Sequence, residues 1–348
     1  MDNTSFEEIR KLEEKISAAN LPEPLLEKSK GMINRLGRIS QIGGNYLTEF
    51  DNTNRYIDWI SNLPWVTRST DILDFTQADS ILNKNHYGLK SAKEKILEYL
   101  AVLKLNSQSA SAIARAPIMA LVGLVGTGKT TLAYSIAEAM GRKFERIPFG
   151  GIGDTQYLRG QSRAFPDAEP GAIIKALRRT GTKNPVILLD EIDRVDETVR
   201  ASIMGVLVEL LDPGQNSGYT DHFIDYPFDL SQVLFIVTAN NSTNISTAVL
   251  DRLEVISMPS YNDEEKITIA KDFVLPKALK AASLTSENLV VNPDVWAKII
   301  RPLGFDGGIR TLERTVNNMV RKTAMQIVTG QTRQVQITEQ NLNDYLPQ

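Results

Sequence analysis

Hydrophobic residues in the middle of the chain occur in short continuous runs that are separated by longer helical patterns. Such runs are typical of strands that are buried on both faces of a sheet. The predicted strands are residues 118–122, 144–148, 186–189, 233–237 and 253–258. Between them, apolar spacing predicts helices at residues 131–140, 171–179 and 201–211. Strands that alternate with helices over residues 86–258 predict an α/β layer with a mostly parallel sheet.

Both ends of the chain are mainly helical in pattern. Residues 5–39 predict two helical pieces, and a shorter helix is predicted at residues 54–61. This N-terminal part could be a lobe packed on its neighbour or a surface for apolar substrate segments, and we favour the packed lobe. Beyond Ser260, helices are predicted at 263–272, 274–282, 294–301, 308–329 and 339–345, with a short strand at 334–337. We expect an N-terminal helical segment and linker at 1–69, an α/β large domain at 70–259 and a small helical domain at 260–348.

A glycine-rich stretch directly follows the apolar run 118–122. It reads Gly123-x-x-x-x-Gly128-Lys129-Thr130, the pattern of a phosphate-binding loop (Walker A), and a helical stretch follows it. Glycines let the backbone N–H groups approach a phosphate, and the helix N-terminus adds positive potential. Lys129 is placed to reach the β- and γ-phosphates of ATP, and Thr130 to ligate Mg²⁺. The predicted nucleotide-binding residues here are Gly123, Leu124, Val125, Gly126, Thr127, Gly128, Lys129, Thr130 and Thr131.

Acidic residues follow a second buried run, as a Walker B motif would. Asp190 ends the run 186–189, where it can bind Mg²⁺ directly or through water, and Glu191 can polarise an attacking water as a general base. A third run, 233–237, leads to Asn240, whose amide could hold the same water. Two carboxylates downstream of a phosphate loop favour ATP hydrolysis to ADP over nucleotide binding alone.

The composition narrows the classes of function. The chain has 348 residues, 42% hydrophobic and 23% charged, which is ordinary for a soluble protein of two or three domains. Its formal net charge of −3 gives no sign of a dominant nucleic-acid footprint, although a local basic patch remains compatible with it. The absence of cysteine excludes disulfides, cysteine–zinc sites and thiol catalysis. The sequence has no membrane-length apolar run and a polar N-terminus, so we expect a cytoplasmic protein.

With these motifs in place, the sequence resembles the ATPase module of Lon proteases, within the AAA+ ATPases. The resemblance covers the chain from about residue 5 to its end. It is carried by the segments 56–59, 63–65, 86–89, 96–102, 181–185, 188–193, 211–213, 227–231, 250–252 and 308–314. The resemblance implies an ATP-driven protein unfoldase that works as a homohexameric ring on unfolded or misfolded polypeptides in protein quality control.

The resemblance also implies roles for individual residues. Asn240 matches the sensor 1 residue, Arg252 the arginine finger that reaches the nucleotide of a neighbouring subunit, and Arg310 the sensor 2 arginine. His86 and Tyr87 match the segment beside the adenine, which from the residues alone could equally be plain core. The alternative for both arginines is a surface salt bridge.

Phe165 stands where the family has the pore-loop aromatic that grips an extended polypeptide. The alternative for Phe165 is a buried loop anchor. In the phosphate loop, Leu124 and Val125 replace two prolines that family members usually have.

The resemblance further implies a serine–lysine peptidase domain, which would begin about where this sequence ends. The large N-terminal substrate domain of the family is missing as well. The chain is therefore either a fragment of a full protease or a protein that never had the peptidase, and we favour the fragment. Two other classes of function stay open, a nucleic-acid loader or remodeller of the same superfamily and a non-hydrolysing scaffold. The balanced charge argues against the first, and the set of Glu191, Asn240 and Arg252 against the second.

Overall fold

The structure is a computed structural model, and it describes residues 3–42, 45–108, 118–301 and 307–346. The loop predicted at residues 106–116 lies largely outside the described residues, and the glycine pair 43–44 lies outside them altogether. The described helices are α1 (Asn3–Ala18), α2 (Glu23–Ile42), α3 (Tyr46–Ser61), α4 (Phe75–Asn85), α5 (Lys90–Gln108), α6 (Lys129–Ala139), α7 (Gln156–Arg159), α8 (Ala172–Thr180), α9 (Arg200–Leu211), α10 (Thr247–Leu250), α11 (Asp263–Ile269), α12 (Leu275–Ala281), α13 (Trp296–Ile299), α14 (Arg310–Val328) and α15 (Leu342–Tyr345).

The strands include the five predicted in the middle of the chain and several short ones. They are β1 (Ile118–Gly123), β2 (Phe144–Pro148), β3 (Val186–Asp190), β4 (Tyr219–Thr220), β5 (Pro227–Phe228), β6 (Leu234–Ala239), β7 (Leu253–Met258), β8 (Leu289–Val291) and β9 (Val335–Ile337). The predicted loop 212–229 thus contains a small antiparallel pair, β4 with β5. The helix predicted at 54–61 begins earlier, at Tyr46, because the apolar face continues through Phe50.

A five-stranded sheet has the order β2-β3-β6-β1-β7. The pairs β2–β3 and β3–β6 are parallel, with Val186 opposite both Phe144 and Leu234. Every residue of β3 and β6 is buried, which explains why their sequences read as continuous apolar runs rather than as alternating ones. The α/β fold class with a helical domain after it is confirmed.

The chain divides into two compact units, and each is described by itself. The first unit comprises residues 1–73, 105–120 and 137–254. In it, α1, α2 and α3 pack around a small apolar cluster of Leu12, Ile16, Ile33, Leu36 and Ile57. Aromatic contacts join α3 to the segment that follows β4, where Trp59 and Tyr56 both lie against Phe223. The N-terminal helices are therefore packed within this unit, in agreement with the prediction of a packed lobe.

The second unit comprises residues 74–104, 121–136 and 255–348. Its C-terminal part is helical, as the sequence predicts, and α11 begins with a capping box formed by Asn262 and Glu265. The parallel pair β8–β9 adds a small sheet, of which the sequence predicted only β9. The domain boundaries at residues 69 and 259 stay a prediction.

Within the described ranges, no helix has the length and apolar character that crossing a bilayer would need.

Candidate active site

The conformation of the phosphate loop, residues 123–131, is fixed by its glycines. Gly126 and Gly128 have φ values of +82° and +90°, a left-handed region that costs a residue with a side chain free energy. Gly123 packs so closely against the neighbouring strand β7 that a Cβ atom would come within 2.2 Å of the Met258 carbonyl oxygen. The glycine positions of the motif therefore have physical reasons that are visible in the backbone.

The Lys129 ammonium and the Thr127 hydroxyl both donate to carbonyl oxygens of the loop itself. The Lys129 ammonium donates to the carbonyl oxygens of Gly123 at 2.6 Å and Leu124 at 2.9 Å, and the residue is buried. The hydroxyl of Thr127, also buried, donates to the Leu124 carbonyl at 2.9 Å. Lys129 begins α6, so Thr130 lies in the first turn of that helix. This arrangement presents a buried positive charge and a helix N-terminus to an anion.

His86 supports the loop from α4, whose C-terminal end it caps. Its Nε2 lies 3.0 Å from the Ser135 hydroxyl on α6, and its Nδ1 would lie 3.9 Å from a Cβ atom at Gly128. Burial, and then the nearby Lys93 charge, lower the pKa of His86 to about 4, so the ring is neutral at neutral pH. The adjacent Tyr87 packs edge-on against Phe273, with ring centroids 6.4 Å apart.

Backbone and side-chain contacts join the loop to the segment before α14. The Ile309 amide donates to the Gly126 carbonyl at 3.0 Å, and the Tyr261 hydroxyl donates to the Thr127 carbonyl at 3.2 Å. A Cβ atom at Gly126 would lie 3.3 Å from the Arg310 amide nitrogen. Arg310 begins α14 next to the phosphate loop, with an exposed side chain.

In the other unit, Asp190 closes β3 with both carboxylate oxygens engaged. Oδ1 accepts a short hydrogen bond from the Thr238 hydroxyl, and Oδ2 accepts from Arg146 Nε at 2.6 Å. Asp190 is buried, while the Arg146 side chain is 51% exposed. Sequence analysis identified neither partner. On the adjacent strand Arg146 lies opposite Leu188, two positions before Asp190, and nothing in the sequence marks it as a partner of Asp190.

Glu191 adopts a backbone conformation that is unusual for a glutamate. Its φ of +57° lies in the left-handed region, and its amide donates to the Thr238 hydroxyl at 2.9 Å. The carboxylate lies 3.3 Å from Arg194. Thr238 therefore contacts both acidic residues at the end of β3. Strained backbone of this kind clusters at functional sites. Asn240 directly follows β6 and is half-buried.

Arg252 is held within its own chain. Its Nη2 pairs with Asp212 at 2.8 Å, and its Nη1 donates to the Ala248 carbonyl at 2.7 Å. The hydrogen bond from Arg252, with one from the Gly214 amide, holds the pKa of Asp212 below its ordinary value. Arg252 thus forms a salt bridge, which was the alternative interpretation of this residue. The role of Arg252 as an arginine finger toward a neighbouring subunit stays a prediction.

Phe165 lies at the tip of the loop between α7 and α8. Its side chain is 64% exposed, so it is not a buried anchor of that loop in this chain. Its amide donates to the Ser162 carbonyl at 3.0 Å, and this bond forms a turn at the tip. Gripping of polypeptide by this side chain stays a prediction.

The comparisons with known proteins agree with this geometry. Residues 119–261 match the family described as ATPase family associated with various cellular activities (AAA), and residues 280–336 match the Lon protease AAA+ ATPase lid domain. The chain is 42% identical to the Lon protease of Desulforamulus reducens over 95% of its own length. It is 40% identical to Lon protease 2 of Thermus thermophilus over 98% of its length and to Lon protease 1 of Bacillus subtilis over 97%. It spans 40–43% of the length of these relatives.

Proposed function

Because the chain contains an AAA ATPase domain and a Lon-type lid, we propose that it is the motor part of a Lon-like ATP-dependent serine protease. In this function ATP hydrolysis drives the unfolding and translocation of polypeptide toward a peptidase. The observation that carries the proposal is the phosphate loop, whose Lys129 is buried among its carbonyls, in a chain with a Lon-type lid.

The proposal assigns nucleotide and metal binding to the following groups. Lys129 neutralises charge on the β- and γ-phosphates, and the loop amides bind their oxygens. The Thr130 hydroxyl and the Asp190 carboxylate are oxygen donors of the kind that Mg²⁺ prefers, so these residues fit that ion. Mg²⁺, when bound, neutralises charge on the phosphates. Arg146 shares the Asp190 carboxylate and must give up part of that contact.

The hydrolysis step is assigned to three further residues. Glu191, whose backbone is strained with a φ of +57°, accepts a proton from the attacking water. Asn240 orients the same water by its amide. Arg252, released from Asp212, stabilises negative charge on the nucleotide of a neighbouring subunit, which requires a homo-oligomer, and we propose a hexamer.

The polypeptide partner is assigned to the loop that carries Phe165. An aromatic side chain that is 64% exposed at a loop tip can pack against apolar groups of an extended chain without reading its sequence. The substrates would then be unfolded or misfolded proteins, as protein quality control in the cytoplasm requires. The alternative, a motor that acts on nucleic acid, has no feature of the described residues in its favour.

The test is steady-state ATP hydrolysis measured across protein concentrations, alone, with an unfolded protein and with DNA. Glu191→Gln is the blank, because it retains the size of the side chain and removes the base. Specific activity that rises with protein concentration and with unfolded protein supports the proposal. Stimulation by DNA alone, or hydrolysis by Glu191→Gln equal to that of the wild type, overturns it.

A further inference from the structure

The loop between α7 and α8, residues 160–171 and here called the substrate loop, has a narrow foot. Gly160 and Gly171 approach so closely that a Cβ atom on Gly171 would lie 1.9 Å from the Leu158 carbonyl oxygen. Across the foot, the Gln161 amide donates to the Glu169 carbonyl at 3.0 Å. The buried Asp221 carboxylate accepts from the Gly171 amide at 2.7 Å. The foot is therefore fixed by backbone packing.

The same Asp221 organises the segment after β4. Its Oδ1 accepts from the amides of Phe223 at 2.8 Å and Ile224 at 3.0 Å. Burial raises the pKa of Asp221, although these amide hydrogen bonds oppose the shift. One carboxylate thus fixes both the foot of the substrate loop and the turn that carries Asp225.

Toward the tip, the Arg163 side chain joins the loop to α2, α3 and the turn around Asp225. Its guanidinium carbon lies 3.9 Å from the centre of the Tyr56 ring on α3. Its Nη2 lies 3.7 Å from the Asp225 carboxylate, and its Nη1 lies 3.8 Å from the Met32 sulfur on α2. These three partners, Met32, Tyr56 and Asp225, are here called the Arg163 socket.

The socket is itself held in place. The buried Tyr56 donates its hydroxyl to the Ile224 carbonyl at 3.0 Å, and burial raises its pKa to about 12, so the phenol stays protonated. Lys28 on α2 donates to the Asp225 carboxylate at 2.7 Å and to its carbonyl at 3.1 Å. Helices α2 and α3 therefore contact the turn around Asp225 at the place where the Arg163 side chain also packs.

We propose that Arg163 is a positioning residue, through which helices α2 and α3 set the orientation of the exposed Phe165 two residues away. This inference rests on the proposed function, because it gives the N-terminal helices control over the loop that contacts polypeptide. A guanidinium stacked on a ring face and paired with a carboxylate fixes direction as well as distance. Anything that shifts α2 or α3 would then change how the substrate loop presents its aromatic side chain.

The first experiment separates positioning from general support of the fold. Arg163→Ala should raise the apparent KM for an unfolded polypeptide about 5- to 10-fold in the ATPase assay, from the loss of one partly buried cation–π contact and one ion pair. The kcat at saturating polypeptide should change by less than about twofold, because stacking orients the loop without entering the hydrolysis step. Arg163→Lys, which retains the charge over the ring, should raise KM only about two- to threefold.

Two matched controls accompany this series. Arg179→Ala removes another arginine of the same unit, which pairs with Glu145 and is 55% exposed, and it should leave KM unchanged. Tyr56→Phe retains the ring under Arg163 but loses the hydrogen bond to the Ile224 carbonyl, so it should raise KM less than Arg163→Ala does. Tyr56→Leu should raise KM as Arg163→Ala does, and the double variant should be no worse than either single one. Additive effects of Tyr56→Leu and Arg163→Ala would overturn the inference.

The second experiment measures the loop directly. The chain has no cysteine, so Ala164→Cys, at an exposed position, provides a unique site for a nitroxide spin label. Adding Arg163→Ala should increase the ratio of mobile to immobile label about 5- to 10-fold, whereas adding Arg179→Ala should not. An unchanged spectrum would overturn the inference.

Phe165→Ala separates the hypothesis that Phe165 grips polypeptide from the hypothesis that Arg163 positions the loop. If it leaves KM for polypeptide unchanged, the proposed grip is wrong, and the label spectrum alone then decides whether Arg163 orients the loop. If Phe165→Ala raises KM while Arg163→Ala does not, the grip stands and the positioning role is overturned. A rise in KM for both, with increased label mobility for Arg163→Ala, supports both.

Discussion

The phosphate loop, residues 123–131, and the substrate loop, residues 160–171, both depend on glycines, but different forces hold them. The phosphate loop owes its shape to backbone conformation, with φ values of +82° and +90° at Gly126 and Gly128. The substrate loop shares a tight glycine foot, but its tip depends on the stacking of Arg163 upon Tyr56. A phosphate always has the same shape, whereas polypeptides vary. A ligand of constant shape is thus met by a rigid backbone, and a ligand of variable shape by side chains that can adjust.

The largest effect that we expect is a pH dependence of stability caused by His86, the side chain that packs beside the phosphate loop. The pKa of His86 is about 4 in the folded protein and 6.5 ordinarily, so between these values the unfolded chain binds more protons. Stability should therefore fall by up to about 3 kcal/mol as the pH is lowered from 6.5 to 4. Comparing denaturant unfolding of the wild type with that of the non-titrating His86→Gln isolates this contribution. A free-energy difference between the two proteins that stays constant over this window would show that folding does not lower the pKa of His86.

The next effect concerns the backbone itself. Gly126→Ala places a Cβ atom on a left-handed residue and 3.2 Å from the Ile309 amide nitrogen. We expect nucleotide affinity to fall about 5- to 30-fold, since left-handed backbone costs an alanine about 1–2 kcal/mol. Titration with a fluorescent ATP analogue measures this. Gly153→Ala is the control, because a Cβ atom there meets nothing within 4 Å. Equal affinities for the two variants would contradict the backbone argument.

A smaller effect is expected at the acidic end of β3, outside both loops. Arg146→Gln removes a cation from the Asp190 carboxylate, so Mg²⁺ should support nucleotide binding at a concentration about two- to fivefold lower. The measurement is a Mg²⁺ titration of nucleotide binding in the Glu191→Gln background, where hydrolysis does not interfere. Arg179→Gln is the matched control. A higher Mg²⁺ requirement in Arg146→Gln would mean that the arginine orients Asp190 for the metal instead of competing with it.

The smallest effect refines the view of the substrate loop. Lys28→Ala removes the ion pair with Asp225, whose side chain is 64% exposed. Exposed pairs contribute about 0.2–1 kcal/mol, and Lys28 acts on the loop through Asp225. We therefore expect the lower part of that range, a rise in KM for polypeptide of about twofold. The same ATPase assay used for Arg163→Ala measures it. An effect of Lys28→Ala as large as that of Arg163→Ala would place the control of the loop on α2 rather than on the stacked ring of α3.

The same contrast explains what could be predicted from the sequence. The phosphate loop, the strand ending at Asp190 and the alternation of strands and helices follow from local patterns, because backbone conformation and sheet burial are properties of neighbouring residues. Tyr56, Arg163 and Asp225 lie 107 and 62 positions apart along the chain, so only the fold brings them together. The role of Thr238 was not predicted, because it depends on two acidic neighbours from another strand.

The packing of α3 on the turn after β4 also determines how the molecule can be observed. Two of the three tryptophans of the chain, Trp59 and Trp65, lie in or directly after α3. Trp59 is covered by the Arg178 guanidinium at 4.2 Å, and Trp65 packs on Phe228 with centroids 4.9 Å apart. The intrinsic emission of two of the three tryptophans therefore reports on this region. A red shift or a change in quenching would report that the N-terminal helices have moved, without any added dye.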